Sequence, residues 1–162
     1  MSRTSRRNHK RNSRKHSRAN MRKTMSSKGS PKPLSNDQKA RIVSIFLEML
    51  NVVKLYHWKT HSYAQHKATD ELYGKLNENI DKFVEILLGK DASRVKMLEK
   101  RMSLIDSKNV TDFKSRIYAY REFLINDIGM YFDARRDSDL LNVRDEILGD
   151  INQFLYLMTF DK

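Results

Sequence analysis

The sequence predicts an all-α protein, in which residues 37–162 form a four-helix bundle behind a basic tail of residues 1–36. After residue 36 the chain has four glycines and no proline, which is typical of helices joined by short loops. Apolar residues recur every three or four positions in four segments, whereas the alternation of a β-strand is nowhere sustained. Four such segments with one longer connection are the pattern of a four-helix bundle.

The first two helices are predicted over about 37–58 and 63–88. Each follows a Ser-x-x-Gln capping box, "SNDQ" from Ser35 and "SYAQ" from Ser62. The residues expected to face the core are Ile42, Ile45, Phe46, Met49, Val53 and Tyr56 on the first helix, and Leu72, Leu76, Ile80, Phe83 and Leu87 on the second.

The third and fourth helices are predicted over about 111–135 and 138–159. Residues 90–106 connect the second helix to the third and are long enough for a crossover. The expected core residues are Phe113, Ile117, Tyr120, Leu124, Ile128 and Phe132 on the third helix, and Leu141, Ile147, Leu148, Ile151, Phe154 and Leu155 on the fourth.

The tail, residues 1–36, carries the whole net charge of the protein. It holds 12 Lys and Arg and no Asp or Glu, and the rest of the chain has equal numbers of each sign. With few apolar residues to bury, it is expected to be disordered. It has no aromatic residue to stack on bases, which favours non-specific DNA binding through phosphates over base reading. The residues expected to bind nucleic acid are Arg3, Arg6, Arg7, Lys10, Arg11, Arg14, Lys15, Arg18, Arg22 and Lys23.

Two other roles remain open for the tail, a targeting signal and a solubilising arm. RNA or an acidic protein could also be its partner. The chain has no cysteine and no apolar run near the ~18 residues that span a bilayer. We therefore expect no membrane association and a location in the cytoplasm or nucleoid, with the virion and the nucleus as alternatives.

Residues of metal-ligand type recur on the second predicted helix. His66 and Asp70 are four residues apart, as are Asp81 and Glu85, so each pair is separated by ~40° around the helix. Imidazole and carboxylate ligands suit iron or manganese. The alternative is an ordinary charged helix border, whose acids pair with nearby lysines.

Spacing also limits how such a site could form. His66 and Asp81 are fifteen residues apart, which is ~22 Å along a helix, so one ion cannot contact both within one chain. If all four residues are ligands, the ion lies between two antiparallel copies related by a two-fold axis. The fourth predicted helix has its own carboxylate pair, Glu146 and Asp150, without the Glu-x-x-His of a di-iron helix, and Glu48 is expected at the surface.

The stretch "LYHWKTHSYAQHKATDELYGKLNENIDKFVE" resembles the core signature of the Dps-type mini-ferritins, DNA-protecting proteins of the ferritin-like superfamily. His57-Trp58, His66, Leu72-Tyr73, Asp81 and Glu85 fill its motif positions. The resemblance implies a ferritin-like bundle with iron bound between two-fold-related subunits. In that arrangement His57, His66 and Asp70 come from one chain, and Asp81 and Glu85 from its partner. It also implies iron oxidation, often with peroxide, in a homo-oligomer that is at least a two-fold dimer and, in the complete family form, a dodecamer.

The loop between His57 and His66 is about three residues shorter than in that family and lacks its glycine. This difference puts the position of His57 in question and makes His61 a substitute candidate. The compact "HWxTxSYAxH" version resembles uncharacterised proteins of large DNA viruses and phages. Two functions therefore stay open: a DNA-binding ferroxidase, and a non-enzymatic DNA-condensing or virion-packaging protein with a degenerate metal site.

Overall fold

A computed structural model describes residues 33–96 and 103–160 of the 162-residue chain. Its main helices are α1 (Asn36–Lys59), α2 (Tyr63–Gly89), α3 (Val110–Glu122) and α4 (Ser138–Leu157). The predicted all-α class is confirmed, since the described residues contain four main helices and no strand. The nucleic-acid-binding residues predicted in the tail lie outside these ranges.

The starts of α1 and α2 follow the capping pattern. The Ser35 hydroxyl accepts a hydrogen bond from the Gln38 amide at 3.2 Å, and the Gln38 side chain accepts one from the Ser35 amide at 2.9 Å. The Ser62 hydroxyl accepts from the Gln65 amide at 3.3 Å. These bonds satisfy amides that have no partner within the first helical turn.

The core lies along the predicted stripes of α1 and α2. All five residues predicted on α2 are buried, and so are those on α1 apart from Ile45, which is partly buried. Phe46 and Phe83 pack edge to face, with ring centroids 5.2 Å apart. Among the described residues, no helix is long and apolar enough to cross a membrane.

Contacts between helix ends fix the connectivity. At one end, Tyr56 of α1 stacks on Phe113 of α3 at 3.9 Å, and Phe113 meets Phe154 of α4 at 5.9 Å. At the other end, Lys90, directly after α2, pairs with Asp137 and Asp139 at 3.1 and 2.9 Å. The end of α2 and the start of α3 therefore lie at opposite ends of the bundle, so α2 and α3 run parallel. One long crossover is the connection found in ferritin-like bundles.

The third helix is less regular than predicted. It is α-helical only to Glu122, continues as a π-helical segment over Phe123–Asp127, and ends with a 3₁₀ turn over Ile128–Met130. From Tyr120 onward the buried residues Tyr120, Leu124 and Ile128 are four apart, a spacing that drifts by ~40° per turn on an α-helix, and the wider π turn keeps them inside. Arg144 donates a hydrogen bond at 3.1 Å to the Leu124 carbonyl within the irregular segment.

Two further expectations about individual residues were wrong. Leu141 was expected in the core, but Leu140 and Val143 are the buried residues of this part of α4, and Leu141 is partly exposed. Glu48 was expected at the surface, but it is partly buried and accepts a hydrogen bond from Tyr120 Oη at 2.8 Å. Burial raises the pKa of Tyr120, and its hydrogen bond to Glu48 raises it further.

A buried ion pair joins the start of α1 to the segment after α2. Lys39 is only 2% exposed, and its Nζ donates to Asp91 Oδ2 at 2.5 Å and to Ser93 Oγ at 2.6 Å. The hydrogen bond from Lys39 lowers the pKa of Asp91 to about 2, and a bond from Ser93 contributes.

This ion pair predicts acid sensitivity. Because folding lowers the pKa of Asp91, its contribution to stability is fully present above the ordinary carboxyl pKa of ~4 and is lost as the pH falls to about 2. We expect wild type to be more stable than Asp91→Asn at pH 7, and the difference to shrink below pH ~4. Urea unfolding of both proteins across this range measures it, and a constant difference would contradict the assignment.

Candidate metal centre

A three-residue loop brings the end of α1 beside the start of α2. Thr60 caps α1 by donating its amide to the Tyr56 carbonyl at 3.0 Å, and its hydroxyl accepts from the Ser62 amide at 3.2 Å. The two helices form a tight antiparallel hairpin. The last turn of α1 therefore faces the first turn of α2, and this places His57 against His66.

His57 and His66 hold each other by reciprocal hydrogen bonds. The Nδ1 of His57 lies 3.1 Å from the His66 carbonyl oxygen, and the Nδ1 of His66 lies 3.0 Å from the His57 carbonyl oxygen. The rings stack with centroids 3.9 Å apart. Because a carbonyl oxygen can only accept, Nδ1 carries a hydrogen in each ring, and in the neutral form of this tautomer Nε2 has the lone pair that a metal ion requires.

Asp70 adds a carboxylate to this pair. Its Oδ1 lies 3.9 Å from His57 Nε2, too far for a hydrogen bond. Two ligands held ~2.1 Å from one ion are separated by roughly 3–4 Å, so the spacing fits a shared ion. His57 is 7% exposed, whereas His66 and Asp70 are exposed, so the open side of the trio faces solvent.

Two residues that support His57 were missed in the sequence. Buried Thr69 has its hydroxyl 3.3 Å from His57 Nδ1 and donates to the Gln65 carbonyl at 2.7 Å. The Gln65 side-chain oxygen in turn accepts from Tyr56 Oη at 2.6 Å and from Thr60 Oγ1 at 2.7 Å. The position of Thr69 in the sequence could have identified it, because it lies three residues after His66 and on the core side of α2.

His61 does not take the place of His57. It is exposed and lines a separate cleft of about 410 Å³ together with Lys59 and Lys108. The short loop therefore leaves His57, and not His61, in contact with His66. The short loop had put the position of His57 in question. Within the chain, His57 lies next to both His66 and Asp70.

Asp81 and Glu85 lie farther along α2. Both are exposed, and neither has an ion pair or a side-chain hydrogen bond among the described residues. Two of the lysines on α2 pair with other carboxylates, Lys82 with Glu146 at 3.1 Å and Lys75 with Glu71 at 3.0 Å. Asp81 and Glu85 are thus two neighbouring carboxylates that pair with no cation of residues 33–96 or 103–160.

The carboxylate pair of α4 is different. Glu146 is paired with Lys82, and Asp150 accepts from Asn79 at 2.9 Å and lies 3.7 Å from Lys75. Both acids thus join α4 to α2 through ordinary ion pairs. This arrangement gives no support to a di-iron site inside the bundle.

No cluster of three or more His, Cys, Asp or Glu side chains within residues 33–96 and 103–160 can hold a metal ion. The His57 group and the Asp81–Glu85 pair lie at opposite ends of an extended stretch of α2, ~22 Å apart along its axis. A site that used both groups would therefore need a second chain.

Aromatic residues border the histidine end of the site. Trp58 is 69% exposed and so does not belong to the core. Lys54 lies over the rings of Tyr73 and Trp58, at 4.5 and 5.6 Å from their centroids. Lys54 has no ion pair with a described carboxylate.

Residues 57–158 match the family described as "Family of unknown function (DUF5856)". The match spans more than half of the chain. The chain belongs to this family. All five candidate ligands lie inside the DUF5856 region, which begins at His57 itself. No curated protein and no solved structure matches the chain.

Proposed function

We propose that this DUF5856 protein is a Dps-like mini-ferritin, in which two chains build an iron-oxidising site and the basic tail holds DNA. His57, His66 and Asp70 of one chain and Asp81 and Glu85 of the other would bind ferrous iron as the substrate. The reciprocal histidine pair carries this proposal, because it uses both Nδ1 atoms for hydrogen bonds and places the Nε2 of His57 3.9 Å from the Asp70 carboxylate.

The ligand types also support the proposal. Histidines that bind a metal are commonly oriented by a hydrogen bond from the ring nitrogen that does not bind the metal. Histidines exposed at a surface without such a role need no bond of this kind. Oxygen and imidazole donors suit iron. Asp81 and Glu85 would bring the negative charge that stabilises the ferric product and that the histidines lack.

The chemistry requires an oxidant, for which we take hydrogen peroxide. Two ferrous ions each lose one electron, and one peroxide with two protons is reduced to two waters, so the O–O bond breaks without releasing a hydroxyl radical. His57 and His66 would fix the position of the iron, and the three carboxylates would favour the ferric state. Solvent access on the exposed side would let iron and peroxide enter.

The nucleic-acid part of the proposal is supported by charge alone. All 12 Lys and Arg of the tail precede residue 33, and the remaining chain has no net charge. A polycationic segment would bind the phosphate backbone of DNA without reading its sequence. Oxidation of iron next to bound DNA would then limit radical damage to that DNA.

An anaerobic titration with ferrous iron, followed by peroxide, tests the metal function. We expect saturable binding at about one site per chain and ferric absorbance that rises faster than in buffer, in particles of at least two chains. Particle mass is measured on the same samples by light scattering. Oxidation at the buffer rate would contradict the ferroxidase and leave the DNA-condensing or packaging function.

A further inference from the structure

Gly74 lies in the middle of α2, where a glycine weakens a helix. It is exposed, and a Cβ at this position would have no neighbour within 4 Å. The packing of its own chain therefore does not require a glycine here. A close approach by another molecule is one reason for a helix to lack a side chain at such a place.

The position of Gly74 points to the face that carries the candidate ligands. It follows Asp70 by four residues and precedes Asp81 by seven, so all three lie on one side of α2. The core residues of α2, such as Leu72 and Leu76, lie on the opposite side. On the outward face of α2, Gly74 is thus the position that has no side chain.

The proposed two-fold site gives an independent estimate of where two copies cross. It pairs the His66–Asp70 end of one α2 with the Asp81–Glu85 end of the other. The crossing point is then midway between these groups, between residues 75 and 76. Gly74 lies within two residues of it, ~2 Å along the helix axis.

Charge favours the same partner. Lys54 lies over Tyr73, and neither it nor Asp81 has an oppositely charged partner among the described residues. In the antiparallel pairing, position 73 of one α2 lies at the same height along the helix axis as position 78 of the other α2. Lys54 would then be within one helical turn of the partner subunit's Asp81. Exposed Trp58 would be covered by the same contact.

We infer that the outward face of α2 around Gly74, together with Lys54 and Trp58, is the surface on which a second copy of this chain docks. The two α2 helices cross at Gly74 and approach more closely than the usual 8–10 Å between packed helices. This inference rests on the proposed two-fold site for the location of the crossing. It adds the surface that brings the two halves of that site together.

A single cysteine tests the crossing directly, because the chain has none of its own. In full-length Gly74→Cys, the two introduced thiols lie near the two-fold axis and should be joined efficiently by a short bis-maleimide into a covalent dimer. Gly149→Cys is the matched control. Gly149 is also exposed within a helix and free of neighbours, but Glu146 and Asp150 beside it are paired within the chain.

A larger side chain tests the close approach. Gly74→Gln should fold as well as wild type, because space around it is open, and should weaken the dimer by about tenfold or more through overpacking. Gly149→Gln should leave the dimer unchanged. Sedimentation velocity over a concentration series, on nuclease-treated protein without iron, measures both, with circular dichroism as the check on folding.

The outcomes separate this inference from the proposed function. A monomeric wild type, or equal cross-linking at positions 74 and 149, would overturn the docking surface. Rapid iron oxidation in Gly74→Gln with unchanged mass would overturn it while leaving a ferroxidase. Loss of the dimer in Gly74→Gln, in a protein that oxidises iron no faster than buffer, supports the surface and removes the ferroxidase.

Discussion

Replacing Asp81 and Glu85 together with alanine is expected to reduce iron oxidation to the rate in buffer. Both are exposed carboxylates of α2 that form no ion pair with a cation of the described residues. In the proposed site they bring two of the five ligands, and altering even groups that only support ligands typically costs 10–100-fold in metal affinity. We therefore expect at least ~100-fold weaker ferrous binding. Anaerobic titration and the initial rate after peroxide addition measure the two effects.

The matched control is Glu146→Ala with Asp150→Ala. This variant also removes two carboxylates four residues apart from one helix, but they are paired with Lys82 and with Asn79 and Lys75. The exposed Glu146–Lys82 pair contributes ~0–1 kcal/mol, and the hydrogen bond of partly buried Asp150 to Asn79 contributes ~1 kcal/mol, so the fold should survive. Iron oxidation by this variant should equal that of wild type. Equal loss in both variants would mean that general negative charge, and not ligation, drives oxidation.

Mixed oligomers test whether the site is shared between chains. His66→Ala removes a ligand from one half of the site, and the Asp81–Glu85 double variant removes the other half. In a dimer with one chain of each kind, one of the two sites keeps all its ligands. Co-expression should therefore restore up to half of the activity per mixed dimer, whereas either variant alone stays inactive. No recovery would contradict a site built from two chains.

The sequence predicted a helix well where a single apolar face of that helix packs against the core. On α2 the stripe from Leu72 to Leu87 repeats with helical period, and burial follows it. On the third helix Tyr120, Leu124 and Ile128 are each four positions apart, and periodicity does not reveal that a π turn absorbs the resulting drift. The phase error at Leu141 lay in the reading of the pattern, since the buried residues Leu140, Val143 and Ile147 follow helical spacing in the sequence itself.

The candidate site was predicted as a list of residues, not as an arrangement. Motif spacing identified His57 and His66, but their reciprocal bonds depend on the path of a three-residue loop. Thr69 and Gln65 went unnoticed because a buried polar residue on a helix has no signature until its neighbours are known. The separation of His66 from Asp81 did show that one chain is not enough, because a helix has a fixed rise per residue.

Deleting residues 1–32 is expected to abolish DNA binding while leaving iron oxidation intact. The deletion removes all 12 Lys and Arg of the tail and leaves a chain without net charge. It ends before Ser35, whose hydroxyl caps α1, so the bundle should fold as before. For full-length protein making ~10 phosphate contacts, affinity should fall by ~10³–10⁵ between 50 and 200 mM salt. Fluorescence anisotropy with labelled duplex DNA measures affinity and its salt dependence.

Two tail variants distinguish charge from sequence in this experiment. A tail of the same composition in shuffled order should bind DNA like wild type, because phosphate contacts do not depend on the order of the cations. A tail of full length with the ten basic residues from Arg3 to Lys23 replaced by Gln should bind no better than the deletion. Each oligomer presents several tails, and their combined avidity makes the loss larger than for a single chain. If the deletion variant still binds DNA with the salt dependence of the full-length protein, the DNA interface lies on the bundle. Positive and negative residues are balanced there, so only a local cluster of cations could hold the phosphates.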